Sequence, residues 1–215
     1  WVADLWNVDE PGNLFFNVIN PRAARDNTLQ GAADLFVLTR LLGEDDPQVA
    51  GVDSQLDADR IFFIGHSQGT TIMSPFLAFD DTVQAAVLSG AGAELSLSIL
   101  NKSEPINIAG MMGTLFGDQN LGRIHPMMGL LAILFAPADS VSYADAFVRH
   151  PPRRPLPTIM FWGIGDHYTP NATQAALVRS MGIPIIEPVE VSLAGVETVS
   201  TPPPTIAISA VRLRA

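Results

Sequence analysis

Ser67 is the residue of this chain whose surroundings point most clearly to chemistry, because it lies at the centre of Gly65-His66-Ser67-Gln68-Gly69. Four apolar residues at 61–64 precede it and predict a strand that is buried on both faces. The residues from Thr70 onwards predict a helix. A serine in a G-x-S-x-G turn between a strand and a helix forms a nucleophile elbow, which presents the hydroxyl at the end of the strand. The alternative is a glycine-rich turn with an ordinary serine, but the flanking strand and helix favour the nucleophile.

The other residues of the turn have expected roles as well. We expect a strained backbone at Ser67, with Gly65 and Gly69 passing so close together that side chains there would clash. The backbone N–H of Gln68 is the expected donor to a developing oxyanion, helped by the positive end of the following helix. His66 is adjacent to Ser67 in a sharp turn, so we expect its ring to point elsewhere and interpret it as a turn residue.

A serine nucleophile needs a base, and the base needs an acid that orients it. Asp166 is the candidate acid, because it follows the buried strand predicted at 156–163 in the loop Gly163-Ile164-Gly165-Asp166. The carboxyl ends of parallel strands share one edge of a sheet, which would place Asp166 on the side of Ser67. The alternative is an aspartate that only stabilises its turn. Glu94, after the strand predicted at 83–88, is the second candidate acid.

These residues are positioned by alternating strands and helices, which predict an α/β fold with a mostly parallel sheet and flanking helices. We expect a core built from residues 1–94 and 151–215. Residues 95–150 are expected to form a helical cap or lid insertion, although Leu95–Leu100 alternates like a short strand.

The remaining predictions are a short strand or apolar loop at 14–19, a break at Asn20-Pro21, a helix from 26–28 to Gly43, an acidic loop at 44–59, a helix at 171–181, short extended pieces at 183–186 and 189–193, and an extended run near the C-terminus.

Composition excludes several classes of function. The net charge is −10, from 22 acidic and 12 basic residues, which disfavours binding to nucleic acids. There are no cysteines, so disulfides and thiolate chemistry are excluded. No apolar run has the 18 residues that a membrane span requires. Neither a cluster of metal ligands nor a dinucleotide-binding motif is present, so no metal and no organic cofactor is expected. Hydrophobic residues make up 47% of the chain, so either much of this apolar surface is buried or some of it meets lipid or an apolar substrate.

The elbow at 65–69, the strand ending at Gly163 and the loop to Asp166 together resemble bacterial α/β-hydrolases of the lipase and esterase type. The segment from Asn20-Pro21 to Gln30 also looks like lipase-like members of that group. The resemblance covers about residues 14–94 and 155–190. It implies hydrolysis of small-molecule or lipid esters through an acyl-enzyme, with Ser67 as the nucleophile and Asp166 as the acid.

The chain departs from the pattern of that family because no residue fits the role of the catalytic base. In α/β-hydrolases the histidine follows the acid, but here the only histidine after Asp166 is its neighbour His167, which cannot easily face it. His125 and His150 precede Asp166, and we interpret all three as surface or lid histidines. A loop for the second oxyanion donor is also missing before residue 28. We therefore expect an internal fragment of a longer hydrolase.

Two other functions stay open. The elbow does not discriminate among acyl groups, so the protein could be a peptidase or a thioesterase on the same scaffold. It could also be a hydrolase fold without catalysis that serves as a binding module.

Overall fold

A computed structural model describes residues 11–17, 20–43, 56–104 and 107–200. The start of the chain at Trp1, most of the acidic segment 44–59 and the C-terminal run at 201–215 lie outside these residues. The helices of the described part are α1 (Pro11–Phe16), α2 (Pro21–Leu42), α3 (Gln68–Leu77), α4 (Leu95–Asn101), α5 (Ile108–Phe116), α6 (Pro126–Phe135), α7 (Ala144–Val148) and α8 (Asn171–Met181). The strands are β1 (Ile61–His66), β2 (Val83–Ser89), β3 (Thr158–Phe161), β4 (Ile185–Ile186) and β5 (Thr198–Val199).

The main sheet is parallel, with the strand order β1-β2-β3. Gly65 pairs with Leu88, and Leu88 pairs with Met160. α3 connects β1 to β2, and the helical segment α4 to α7 lies between β2 and β3. The prediction of an α/β fold with these three strands as parallel neighbours is therefore confirmed. β4 and β5 form a separate parallel pair.

Two predictions near the N-terminus of the described part are wrong. Residues 14–16 belong to α1 and do not form a strand or a loop. Helix α2 begins at Pro21, well before the expected start at 26–28. Asn20 caps it, because its Oδ1 accepts a hydrogen bond from the Ala23 N–H at 3.2 Å. Asparagine is a favoured cap and proline is favoured at the first helical position, so Asn20-Pro21 starts the helix that it was expected to precede.

The core lies on one face of the main sheet. On that face Leu88 and Met160 are fully buried against Phe76 of α3 and Leu177 of α8. On the other face Phe62 is 60% exposed and Ile64 is 78% exposed. The prediction that 61–64 is buried on both faces is therefore wrong, because α2, α3, α7 and α8 contribute to the core on the Phe63 side.

The segment from 95 to 150 is helical, as predicted, and α4 settles the ambiguity at Leu95–Leu100. Met112, Met128 and Leu131 form a second, smaller hydrophobic cluster within it. Ala144 and Val148 of α7, in contrast, pack into the main core, so the separate helical cluster ends before α7. That this cluster covers the Ser67 site stays a prediction. No helix of the described ranges has the length and hydropathy needed to cross a bilayer.

Candidate functional site

Ser67 is the single residue between the end of β1 and the start of α3. Its backbone has φ 50° and ψ −116°, a region that residues with a side chain rarely occupy. The turn is held on both sides: the Ser67 N–H donates to the Ser89 carbonyl at 2.9 Å, and the Thr70 hydroxyl donates to the Ser67 carbonyl at 2.6 Å. Such a conformation costs about 1–3 kcal/mol and persists only where its surroundings impose it. The exposed Ser67 side chain is therefore presented at the carboxyl edge of the sheet.

The two glycines of the motif differ in their surroundings. A Cβ on Gly65 would lie 2.7 Å from Phe63 Cε1 and 3.2 Å from Thr70 Cγ2, so the absence of a side chain is needed there. A Cβ on Gly69 would have no atom within 4 Å. The expected clash between positions 65 and 69 is therefore wrong, because Gly69 lies in the first turn of α3 with open space around it.

Gln68 and His66 flank the serine. Gln68 is the first residue of α3, where backbone N–H groups have no acceptor within the helix. That N–H therefore has no acceptor within α3, and its role as an oxyanion donor stays a prediction. His66 Nδ1 lies 3.1 Å from Ser89 Oγ on the neighbouring strand, so its polar contact is with β2.

Asp166 lies on the same edge of the sheet, in the loop that follows β3. Its Oδ1 accepts the backbone N–H groups of Tyr168 and Thr169, both at 2.8 Å. The Thr169 hydroxyl donates to the Gly90 carbonyl at 3.0 Å. A Cβ on Gly90 would lie 3.7 Å from the Ser67 nitrogen, so Gly90 is adjacent to the elbow. The structure therefore brings the Ser67 and Asp166 loops to one edge and connects them through Thr169.

Lys102 is a charged neighbour of Asp166 that sequence reasoning missed. It is the C-cap residue of α4, and its Nζ lies 5.3 Å from the centre of the Phe16 ring. Burial lowers the pKa of Lys102, and the negative charge of Asp166 opposes this shift. No sequence signal marked this lysine, because it follows a short ambiguous run and is 64 residues from Asp166 along the chain.

Glu94, the second candidate acid, is the N-cap residue of α4 and forms an ion pair with Arg123. The buried carboxylate beside it belongs to Asp139, which sequence reasoning also missed. Asp139 accepts backbone N–H groups from Glu94 at 2.8 Å, Leu95 at 2.6 Å and Val141 at 3.1 Å. Asp139 therefore attaches the start of α4 to the segment after α6, and its oxygens are used in holding the fold.

Two of the histidines are held away from the serine by other contacts. His125 caps α6, where its Nδ1 accepts the Met127 N–H at 3.2 Å and its Nε2 lies 3.4 Å from Asp118. His150 Nδ1 lies 2.8 Å from Asp145 and precedes β3, at the amino edge of the sheet. The edge occupied by His150 is opposite to that of Ser67.

His167 is exposed beside Asp166, and its Nδ1 lies 3.2 Å from Ser103 Oγ. The described contacts of the His167 ring and of Asp166 include no hydrogen bond or ion pair between the two neighbours. None of the four histidines of the chain has a hydrogen bond to Ser67 in the described part. The site thus contains a positioned serine and a carboxylate, and the described residues include no group of His, Asp or Glu that could hold a metal ion.

Comparison of the chain with protein-family models gives no match, and comparison with curated proteins gives none either.

Proposed function

We propose that this chain is a serine hydrolase that cleaves carboxylic esters through an acyl-enzyme on Ser67. The observation that carries the proposal is the positive φ of Ser67, a non-glycine residue at the junction of a parallel strand and a helix. An ordinary surface serine has no reason to occupy this conformation, and strain of this kind is concentrated at active sites. Its position matches the nucleophile of a G-x-S-x-G elbow.

In the proposed reaction, Ser67 Oγ attacks the ester carbonyl carbon while a base takes its proton. The carbonyl oxygen becomes an oxyanion, which the Gln68 N–H stabilises at the N-terminus of α3. The C–O bond to the alcohol then breaks, and the alcohol leaves with the proton from the base. Water, activated by the same base, hydrolyses the acyl-enzyme and restores Ser67.

Asp166 is the proposed acid, which orients the base and stabilises its positive charge. Its Oδ1 is fixed by the two loop N–H groups, and its Oδ2 is the oxygen that remains for the base.

No residue that could act as the base contacts Ser67 in the described part of the chain. The test of the proposal therefore supplies a base from solution. We expect slow ester turnover by residues 1–215, because an unassisted serine hydroxyl is a weak nucleophile. Imidazole added to the solution supplies a base, so it should raise the Ser67-dependent rate.

The experiment compares the hydrolysis of a short-chain aryl ester by the wild type and by Ser67→Ala, with and without imidazole. A rate increase in the wild type that exceeds that of Ser67→Ala supports the ester hydrolase. Ser98→Ala is the control and should behave like the wild type. Equal rates for wild type and Ser67→Ala at every imidazole concentration would favour the non-catalytic binding module. A larger Ser67-dependent rate on a thioester or a peptide would favour the other hydrolase classes.

A further inference from the structure

A cleft lies at the amino edge of the main sheet, on the side opposite to Ser67. The turn between α3 and β2 lines one side of it, and the loop that precedes β3 lines the other. Its empty space is about 330 Å³ and is open to solvent. The buried residues of its lining are all apolar, namely Leu77, Ala78, Val83 and Leu156. The cleft is therefore an open apolar hollow that is separate from the candidate site.

Phe79 provides an aromatic wall of this cleft, although the residue is 56% exposed. Its ring meets the ring of Tyr143 edge-on, with the two centroids 6.2 Å apart, and this contact holds the Phe79 ring in place. Pro151 and Pro152 line the cleft as well. An exposed aromatic ring beside two proline rings offers an apolar contact surface to a small ligand.

Three of the four charged side chains in the lining are engaged by other groups of the protein. Asp81 forms an ion pair with Arg153. Both oxygens of Asp80 accept hydrogen bonds, Oδ1 from the Thr82 N–H at 2.9 Å and Oδ2 from the Thr39 hydroxyl at 3.2 Å. These contacts attach the turn after α3 to its surroundings, so the three side chains serve the fold.

Arg154 is the fourth charged side chain, and no acidic side chain of the described ranges forms an ion pair with it. Its Nη2 donates to the Val83 carbonyl at 2.9 Å, which fixes the guanidinium group at the start of β2. A guanidinium has five N–H donors, so this single bond leaves donors for a ligand. The backbone around Arg154 is restricted by Pro151, Pro152 and Pro155. A group held in this way loses little freedom when it binds.

We propose that this cleft binds a small carboxylic acid with an apolar body, and that Arg154 recognises the carboxylate. The planar guanidinium group matches a carboxylate with two parallel hydrogen bonds. The apolar body of the ligand packs against Phe79, Pro152 and the buried apolar residues of the lining. Because Ser67 lies at the opposite edge of the sheet, this inference goes beyond ester hydrolysis and does not depend on it.

The charges of the lining favour a ligand with a single negative charge. Asp80 and Asp81 balance Arg153 and Arg154, so the formal charge of the lining is zero. Surroundings of this kind do not concentrate multiply charged anions. A phosphate group carries close to two negative charges at neutral pH, and the two carboxylates would repel it more strongly than they repel a carboxylic acid. Arg154 instead recognises one charge at short range, and the apolar lining supplies the remaining contacts.

The test is a fluorine NMR titration of para-fluorophenylacetate with residues 1–215. We expect saturable binding with a dissociation constant in the millimolar range, because the cleft is open and the ligand is small. The neutral para-fluorophenylacetamide has nearly the same shape but cannot form the charge-assisted pair. It should therefore bind about tenfold or more weakly. Inorganic phosphate at the same concentration should not displace the acid.

The variants separate the two parts of the proposed contact. Arg154→Gln should weaken binding of the acid about tenfold or more and leave binding of the amide unchanged. Arg154→Lys keeps the charge and loses the planar fork, so its affinity for the acid should lie between those of Arg154→Gln and the wild type. Phe79→Ala removes apolar contact and should weaken the acid and the amide by a similar factor. Arg179→Gln is the matched control, because Arg179 Nε also donates to a backbone carbonyl, that of Ala194, outside the cleft. It should bind like the wild type.

Ser67→Ala should bind the acid like the wild type whether or not the protein hydrolyses esters, which separates this inference from the proposed function. The inference is overturned if the wild type does not bind the acid, if the amide binds equally well, or if phosphate displaces the acid. Equal binding by Arg154→Gln and Arg179→Gln would also overturn it. If Arg154→Gln does not fold, the other two variants decide, and affinities equal to that of the wild type in both Arg154→Lys and Phe79→Ala would contradict the inference.

Discussion

Thr169 and Asp166 form a two-part connection between the loops of the candidate site. The Thr169 N–H donates to Asp166 Oδ1 at 2.8 Å, while its hydroxyl donates to the Gly90 carbonyl at 3.0 Å. Gly90 in turn lies against the backbone of Ser67. The candidate nucleophile and the candidate acid are thus connected by a continuous series of contacts through Thr169 and Gly90 at one edge of the sheet. These contacts use Asp166 Oδ1, and none of them uses Ser67 Oγ or Asp166 Oδ2.

The strain at Ser67 predicts an inverted order of stability for two small substitutions. Glycine tolerates a positive φ and alanine does not, so Ser67→Gly should be more stable than Ser67→Ala by about 1 kcal/mol. At most positions glycine is the less stable of the two by a similar amount. Urea unfolding of both variants measures the difference. A Ser67→Ala variant more stable than Ser67→Gly would show that the backbone is not strained there.

The two glycines of the elbow should respond oppositely to alanine. Gly65→Ala brings its Cβ against Phe63 and Thr70, and crowding of this kind costs about 1–3 kcal/mol. Gly69→Ala meets no atom within 4 Å and replaces a glycine in a helix, so it should stabilise the fold by up to about 1 kcal/mol. Free energies of unfolding from matched urea titrations provide the measurement. Equal effects of the two substitutions would contradict the described packing of the turn.

Asp139 should be important for stability. Asp139→Asn replaces one carboxylate oxygen by an NH₂ group that faces a backbone N–H, and leaves that donor without an acceptor. We expect a loss of about 1–3 kcal/mol in the free energy of unfolding. Asp118→Asn, at an exposed carboxylate of the same helical segment, is the control and should change stability by less than about 0.5 kcal/mol. If the two variants unfold at the same urea concentration, the role assigned to Asp139 is wrong.

Lys102 should make stability depend on pH in the alkaline range. Burial lowers its pKa below the ordinary value of 10.5, although Asp166 opposes the shift. Between the lowered pKa and 10.5 the unfolded chain binds more protons than the folded chain, so the free energy of unfolding rises with pH in that window. Lys102→Met removes this contribution.

The measurement is urea unfolding of the wild type and Lys102→Met at several pH values from neutral upwards. The stability of the wild type relative to Lys102→Met should increase as the pH approaches 10.5. A relative stability that stays constant or falls over this range would contradict the burial of the Lys102 ammonium group.

Local patterns in the sequence predicted the elements that position the candidate site. The strand before Ser67, the next two strands and the helix at 171–181 all lie where apolar runs and turn residues placed them. These elements have strong local signals, because parallel strands are continuous apolar runs and helices are bounded by capping residues. Asn20-Pro21 carried such a signal too, but it was interpreted as a break and in fact starts α2.

Contacts between distant parts of the chain could not be predicted in this way. The exposure of Phe62 and Ile64 depends on which elements cover the sheet, and apolar residues alone do not determine that. Asp139 bonds to residues 44 and 45 positions away, so its environment has no local signature. Lys102 and Asp166 are likewise brought together only by the fold.

The central claim, that Ser67 is a nucleophile, is tested most directly by locating a covalent adduct. Residues 1–215 are incubated with an alkyl fluorophosphonate and imidazole, and the peptide between Arg60 and Lys102 is analysed by tandem mass spectrometry. We predict a single phosphonyl adduct on Ser67, formed faster as imidazole is added and absent from Ser67→Ala. An adduct spread over several serines, or no adduct on Ser67 under conditions that keep the protein folded, would contradict the claim.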